Sequence, residues 1–147
     1  MHTPSFQGVA APARHIAPAA VRTPLIEHPA LNAAVGGRVL MKAETLQVAG
    51  AFKFRGAYNR VSRLTAEEKA RGVVAYSSGN HAQGVAAAAQ AVGTRALIVM
   101  PSDSPTVKVE GVRAFGGEGR LYDRWTEGRG AIGAEIAAER GSILGQR

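Results

Sequence analysis

"GVVAYSSGNHAQGVAAAAQAVGTRALIVMP", residues 72–101, is the stretch on which the fold turns. Residues 72–77 are a short apolar run closed by a Ser-Ser-Gly turn, the pattern of a buried strand. Residues 80–93 then read as a helix, with Asn80 as its N-cap and Gly93 just past its end. "RALIVMP", 95–101, is the next buried strand. Strand, helix and strand at these lengths imply a right-handed crossover and parallel pairing.

The pattern repeats downstream. Residues 104–116 predict a helix with Ser104 as N-cap and Pro105 at the first helical position. "GRLYD", 119–123, predicts a third strand. Residues 126–140 predict a further helix, weakened by Gly128, Gly130 and Gly133 at about 1 kcal/mol each relative to alanine. Upstream, "RVLMKAE" (38–44) reads as a strand, and "AFKFRGAYNRVSRL" (51–64) as a helix with Phe54, Ala57, Tyr58, Val61 and Leu64 on one face. The first thirty residues are rich in proline and alanine, and "VRTPLIEHPAL" (21–31) reads as an extended arm with turns at Pro24 and Pro29. The expected class is α/β, a parallel sheet with helices on both faces.

At 147 residues the chain is the size of one ordinary domain. Cysteine is absent, which removes disulfides, thiolate nucleophiles and cysteine metal sites and fits a reducing compartment. His2, His15, His28 and His81 are scattered without ligand-like spacing, so no metal site is expected. Pro4, Pro12 and Pro18 interrupt the N-terminal region, which lacks an apolar stretch of signal-peptide length; with no membrane-span pattern, a cytoplasmic chain is expected. The net charge of +7 raises a nucleic-acid partner, but the 14 arginines occur singly and most of the 8 aromatics lie in apolar contexts rather than interleaved with the basic residues, so none is expected.

Two stretches carry chemistry. "GAFKFRGAYN" (50–59) sets Lys53 between Phe52 and Phe54, and burying an ammonium among aromatics is unfavourable. Such a lysine either extends its head to water or is used; taken alone, the first is the common case. "YSSGNHAQG" (76–84) lies where a strand ends and a helix begins. Ligands bind beyond the carboxyl ends of parallel strands, where a helix start attracts anions. Ser77 and Ser78 add hydroxyls, Gly79 allows close backbone approach, and Asn80 and His81 add polar side chains, so a carboxylate would fit; capping alone also explains such a turn. Together the stretches offer an amine and a carboxylate site, as an amino-acid enzyme using pyridoxal phosphate requires.

"KAETLQVAGAFKFRGAYN" (42–59) followed by "SSGNHAQGVA" (77–86) resembles the N-terminal part of the threonine dehydratase and serine racemase group, the fold-type II pyridoxal phosphate enzymes with a tryptophan synthase β-like fold. The resemblance runs from about Arg22 to Gly141. It implies that Lys53 is the Schiff-base lysine and general base, that Phe52 encloses the cofactor ring, and that Asn80 bonds its phenolic oxygen. It implies that Ser77, Ser78, Gly79, Asn80 and His81 hold the carboxylate of a small amino-acid substrate. Ser78 matches the second base of racemising members, while several dehydratases have alanine there. Ala51 stands where many members have serine.

The implied activity is an ammonia-lyase converting an L-hydroxyamino acid to a 2-oxo acid and ammonia, with racemisation or β-replacement as sister activities; a homo-oligomer is compatible with it. The family's glycine-rich phosphate loop has no counterpart in the sequence. The expectation is therefore a truncated chain, comprising residues 1–71 of an N-terminal arm and part of a large domain, and a small α/β domain at 72–147. In such a chain Lys53 would face solvent more than a cleft, the strand near Arg38 would lack sheet neighbours, and catalysis would be poor. The competing expectation is a non-catalytic fragment or interaction module of the same fold.

Overall fold

A computed structural model describes residues 5–145; His2, Pro4 and residues 146–147 lie outside it. The chain opens with α1 (Phe6–Ile16), β1 (Leu25–Glu27), α2 (Pro29–Val35) and β2 (Leu40–Lys42). Two 3-10 turns, Glu44–Leu46 and Val48–Gly50, lead to α3 (Lys53–Val61) and α4 (Ala66–Arg71). The alternating part then follows as β3 (Val73–Tyr76), α5 (Asn80–Val92), β4 (Ala96–Pro101), α6 (Thr106–Ala114), β5 (Glu118–Tyr122), α7 (Arg129–Arg140) and β6 (Ile143–Leu144).

Among the described residues β5, β4, β3 and β6 form a parallel sheet in that order. Side chains alternate across it with the strand period of two. Val73, Ala75, Ile98 and Met100 pack on one face with Phe54, Ala57 and Val61 of α3, the alanines of α5 and Val112 of α6. Val74, Leu97, Val99 and Tyr122 face the other way, against Ile132, Ile136 and Ala137 of α7. Both faces are covered, which is why β3 and β4 are apolar almost throughout. From β3 the chain steps outward to β4 and β5, then returns through α7 to β6 on the opposite flank of β3. The carboxyl end of β3 is thus the switch point of this sheet, where a crevice is expected.

The parallel sheet and its helices agree with the sequence-based α/β class, and several local expectations need correction. Residues 6–16 are helical despite Pro12, because the Ser5 hydroxyl accepts from the Gly8 N–H and an alanine-rich run favours helix. Pro29 does not make a turn; it opens α2 behind His28, whose Nδ1 accepts from the Ala30 N–H. The strand near Arg38 has a neighbour after all, since β2 pairs antiparallel with β1. Helix α4 went unforeseen although Thr65 and Glu68 form a reciprocal capping box.

At α5 the N-cap position belongs to Gly79, and Asn80 is the first helical residue, its side chain engaged elsewhere. Ser104 does not cap α6: Pro105, extended at ψ 130°, holds the cap position, and the Ser104 hydroxyl is buried without a partner. The last long helix begins at Arg129 rather than near 126, because Asp123 organises residues 123–127 as a turn, accepting from the Trp125 N–H while its own N–H donates to Glu127. No helix of the described residues is long and apolar enough to cross a membrane.

Candidate active site

A cavity of about 710 Å³ opens beside the carboxyl end of β3. Its apolar floor includes Ala57, Val61 and Leu64, and its rim carries Phe52, Lys53 and the turn Ser77–His81. The lysine and the serine-rich turn, separate in sequence, therefore border one space.

The two sides are brought together by close helix packing. The buried face of α5 is mostly alanine, and at Gly84 an added Cβ would stand 3.1 Å from the backbone of both Lys53 and Phe54. That glycine, in a helix otherwise well stocked with helix formers, allows α5 to lie directly on the first turn of α3. Phe54 is 1% exposed and fixes the inward face of α3. Lys53, one helical step of about 100° earlier, points outward.

Lys53 is thus exposed rather than enclosed by its two phenylalanines, its ammonium 5.2 Å from the centroid of the Phe52 ring. Phe52 itself is 58% exposed. The helical period sends Phe54 to the core and leaves Phe52 and Lys53 on the cavity rim, the lysine head reaching water.

In the turn, Ser77 is buried and its Oγ accepts from the Gly79 N–H at 3.3 Å. Ser78 and Asn80 are exposed, and His81 is half-buried. An added Cβ at Gly79 would meet no atom within 4 Å, so the backbone there borders open space. The N–H groups of the first turn of α5 have no acceptors within the helix, and its dipole adds positive potential.

A polar network that sequence reasoning did not resolve supports the lysine. Arg55, two residues after Lys53, donates from Nε and Nη2 to the two oxygens of Glu44 at 2.8 and 2.6 Å. The Thr23 hydroxyl donates to the same carboxylate, and Lys42 Nζ donates to the Thr23 carbonyl at 2.9 Å. The Arg55 guanidinium, with smaller help from Thr23 and Lys42, holds the Glu44 carboxyl at about 2 against the burial that opposes it. Gln47, 4% exposed, grips the backbone of Val21 with both arms of its amide, each bond 2.9 Å. Ala49 and Gly50 then adopt φ of 60° and 64°, turning the chain sharply into α3; for an alanine this conformation costs about 1–2 kcal/mol. Glu44 and Gln47 lie in the quoted 42–59 motif, but only the fold reveals that they anchor the arm.

The family described as "Pyridoxal-phosphate dependent enzyme" matches residues 16–146. The chain belongs to this family. It is 44% identical over 144 residues to an L-threo-3-hydroxyaspartate ammonia-lyase of Pseudomonas sp, covering 98% of this chain and 45% of that protein. It is 51% identical over 100 residues to the biosynthetic L-threonine dehydratase of Pasteurella multocida, covering 68% and 20% respectively. The structure of maize serine racemase superposes with a TM-score of 0.91 at 38% identity, over 97% of this chain and 44% of that one. The chain spans less than half the length of these relatives.

Pyridoxal phosphate is the cofactor of this family. The residues present fit it on one side: an exposed amine at Lys53 for its carbonyl carbon, an aromatic face at Phe52, an amide at Asn80, and a bare glycine backbone at Gly79 bordering open space. The cavity volume lies within the range of about 300–1,000 Å³ typical of small-molecule sites.

Proposed function

We propose that this chain carries the lysine side of a pyridoxal phosphate-dependent ammonia-lyase acting on an L-hydroxyamino acid. The observation that supports the reading is the meeting of Lys53 and the Ser77–His81 turn on one cavity. When bound, the cofactor supplies an electron sink for negative charge at the substrate α-carbon. Lys53 would tether the cofactor and take the α-proton on Nζ, acting as general base. Phe52 would cover the cofactor ring, and Asn80 would bond its phenolic oxygen. The Ser77 and Ser78 hydroxyls, the Gly79 backbone, Asn80 and His81 would hold the substrate carboxylate at the positive end of α5. Loss of the β-hydroxyl as water, followed by hydrolysis of the released enamine, returns the water and gives a 2-oxo acid and ammonia.

Racemisation is the second reading. What favours it is Ser78, exposed and bordering the same cavity as Lys53, from which its hydroxyl would return a proton to the other face of the α-carbon. The division into an N-terminal part, 1–71, and a small α/β domain, 72–147, belongs to the same proposal, with α3 and α5 sharing one core across that boundary.

The test is borohydride reduction of the chain with pyridoxal phosphate, peptide mass mapping of the fixed group, and assay of 2-oxo acid and D-amino acid from L-serine, L-threonine and L-threo-3-hydroxyaspartate. Fixation on Lys53, abolished in Lys53→Ala, is expected. Equal labelling of Lys42, Lys69 and Lys108 would refute the assignment.

A further inference from the structure

Asn80 occupies the cavity rim, yet its side-chain oxygen is taken. Lys108, in the first turn of α6, places Nζ 2.5 Å from Asn80 Oδ1 and 3.1 Å from Gln83 Oε1. An ammonium carries three donors and no acceptor, so both carboxamides must turn their oxygens toward it. The orientation of each amide is thereby fixed by chemistry. With Oδ1 committed, the arm that Asn80 has left for the cavity is its NH₂, a pure donor.

Gln83 is held in turn by a bare backbone. An added Cβ at Gly111, one turn along α6 from Lys108, would stand 1.8 Å from Gln83 Nε2 and 2.8 Å from Gln83 Cδ. The Gln83 side chain therefore lies over Gly111, in space that only glycine leaves. Helix α6 thus offers an ammonium and a gap, and the two amides of the first turn of α5 are fitted to both.

This arrangement runs against helix electrostatics. Lys108 sits in the first turn of its own helix and beside the first turn of α5, so its charge meets the positive ends of two dipoles. Among the described residues it forms no ion pair, its partners being the two amide oxygens. A locally unfavourable charge with no carboxylate to offset it points to a purpose other than stability.

We propose that Lys108 is a positioning residue: it locks the Asn80 carboxamide with its NH₂ turned to the Lys53 cavity, making Asn80 a dedicated donor to an anionic oxygen. The identity of that oxygen, the phenolic oxygen of the cofactor, rests on the function proposed above; the lock itself does not. Bonding of Oδ1 to a cation also polarises the amide and strengthens the N–H donors on its other arm.

The experiment compares wild type, Lys108→Met, Lys108→Arg and Asn80→Ala. In the chain without cofactor, side-chain amide NMR signals of Asn80 and Gln83 should both move in Lys108→Met toward those of free amides and return toward wild type in Lys108→Arg, with the backbone spectrum otherwise preserved. Urea stability of Lys108→Met should equal or exceed wild type. With pyridoxal phosphate, absorbance titration should show about tenfold weaker binding for Lys108→Met. Adding Asn80→Ala should remove that difference, because the two act as one unit. Unmoved amide signals, or the same loss of binding whether or not Asn80 is present, would overturn the proposal. Moved signals with no cofactor fixed on Lys53 in any variant would uphold the lock and refute the function proposed for the site.

Discussion

Replacing Glu44 by glutamine perturbs one carboxylate and tests how the arm holds Lys53 in place. Glu44 and Arg55 expose 17% and 27% of their side chains, so their two-pronged contact is largely shielded from water. The carboxyl is held at about 2 against an ordinary 4.5, chiefly by Arg55; at about 1.4 kcal/mol per tenfold, that is about 3 kcal/mol of differential stabilisation of the charged form. Residual solvent screening reduces this, and glutamine would set its NH₂ against the N–H groups of Arg55, leaving a cation unpaired. A loss of about 2–3 kcal/mol near pH 7 is expected.

The sign of the pH dependence follows from the direction of the shift. A carboxyl whose folded value is depressed stabilises the fold fully above its unfolded value, and that contribution fades as pH falls toward the folded one. The gap between wild type and Glu44→Gln should therefore be full above pH 4.5, shrink as pH falls, and close near pH 2. Glu27 and Glu118, also lowered by their arginine partners, titrate alike in both proteins and cancel in the difference. Urea denaturation followed by far-ultraviolet circular dichroism across this pH range measures it. A gap below about 0.5 kcal/mol at pH 7, the range of an ordinary surface substitution, or one that stays constant with pH, would refute the reasoning.

Gly84→Ala should lower the urea midpoint although alanine is the better helix former, because its methyl meets the α3 backbone at 3.1 Å and backbone cannot yield as a side chain can; an unchanged or raised midpoint would disprove that close approach. Phe54→Ala, emptying a side chain that is 1% exposed, should cost about 3–5 kcal/mol by thermal or urea unfolding. Thr65→Ala should cost about 1 kcal/mol through loss of the α4 capping box, read in the same unfolding assay. Gly111→Ala should displace Gln83 and shift its side-chain amide signal while leaving β3 and β4 unperturbed in a backbone NMR spectrum.

Regular apolar patterning made much of the architecture legible. β3 and β4 were found within a residue of their bounds, as was the Gly93 end of α5, because a run buried on both faces has few other structures open to it. Elements that rest on local exceptions were missed. Helix α1 forms in spite of Pro12, and β6 pairs only two residues with β3, too short a run to declare itself in sequence. The cap assigned to Asn80 was wrong, since a carboxamide at a helix start looks like a cap unless the cation beside it is known.

The sequence by itself determined the alternation of strands and helices, the presence of one lysine next to a glycine-rich helix entry, and the family those motifs match. These are matters of period, propensity and residue type, carried by neighbours along the chain. Only the tertiary structure decided that α5 lies on the backbone of Lys53 through Gly84, that Glu44 is spent on Arg55, and that Lys108 commits the oxygen of Asn80. Each of those joins groups far apart in the chain through contacts of a few ångströms, and such coincidences exist only once helices pack against one another.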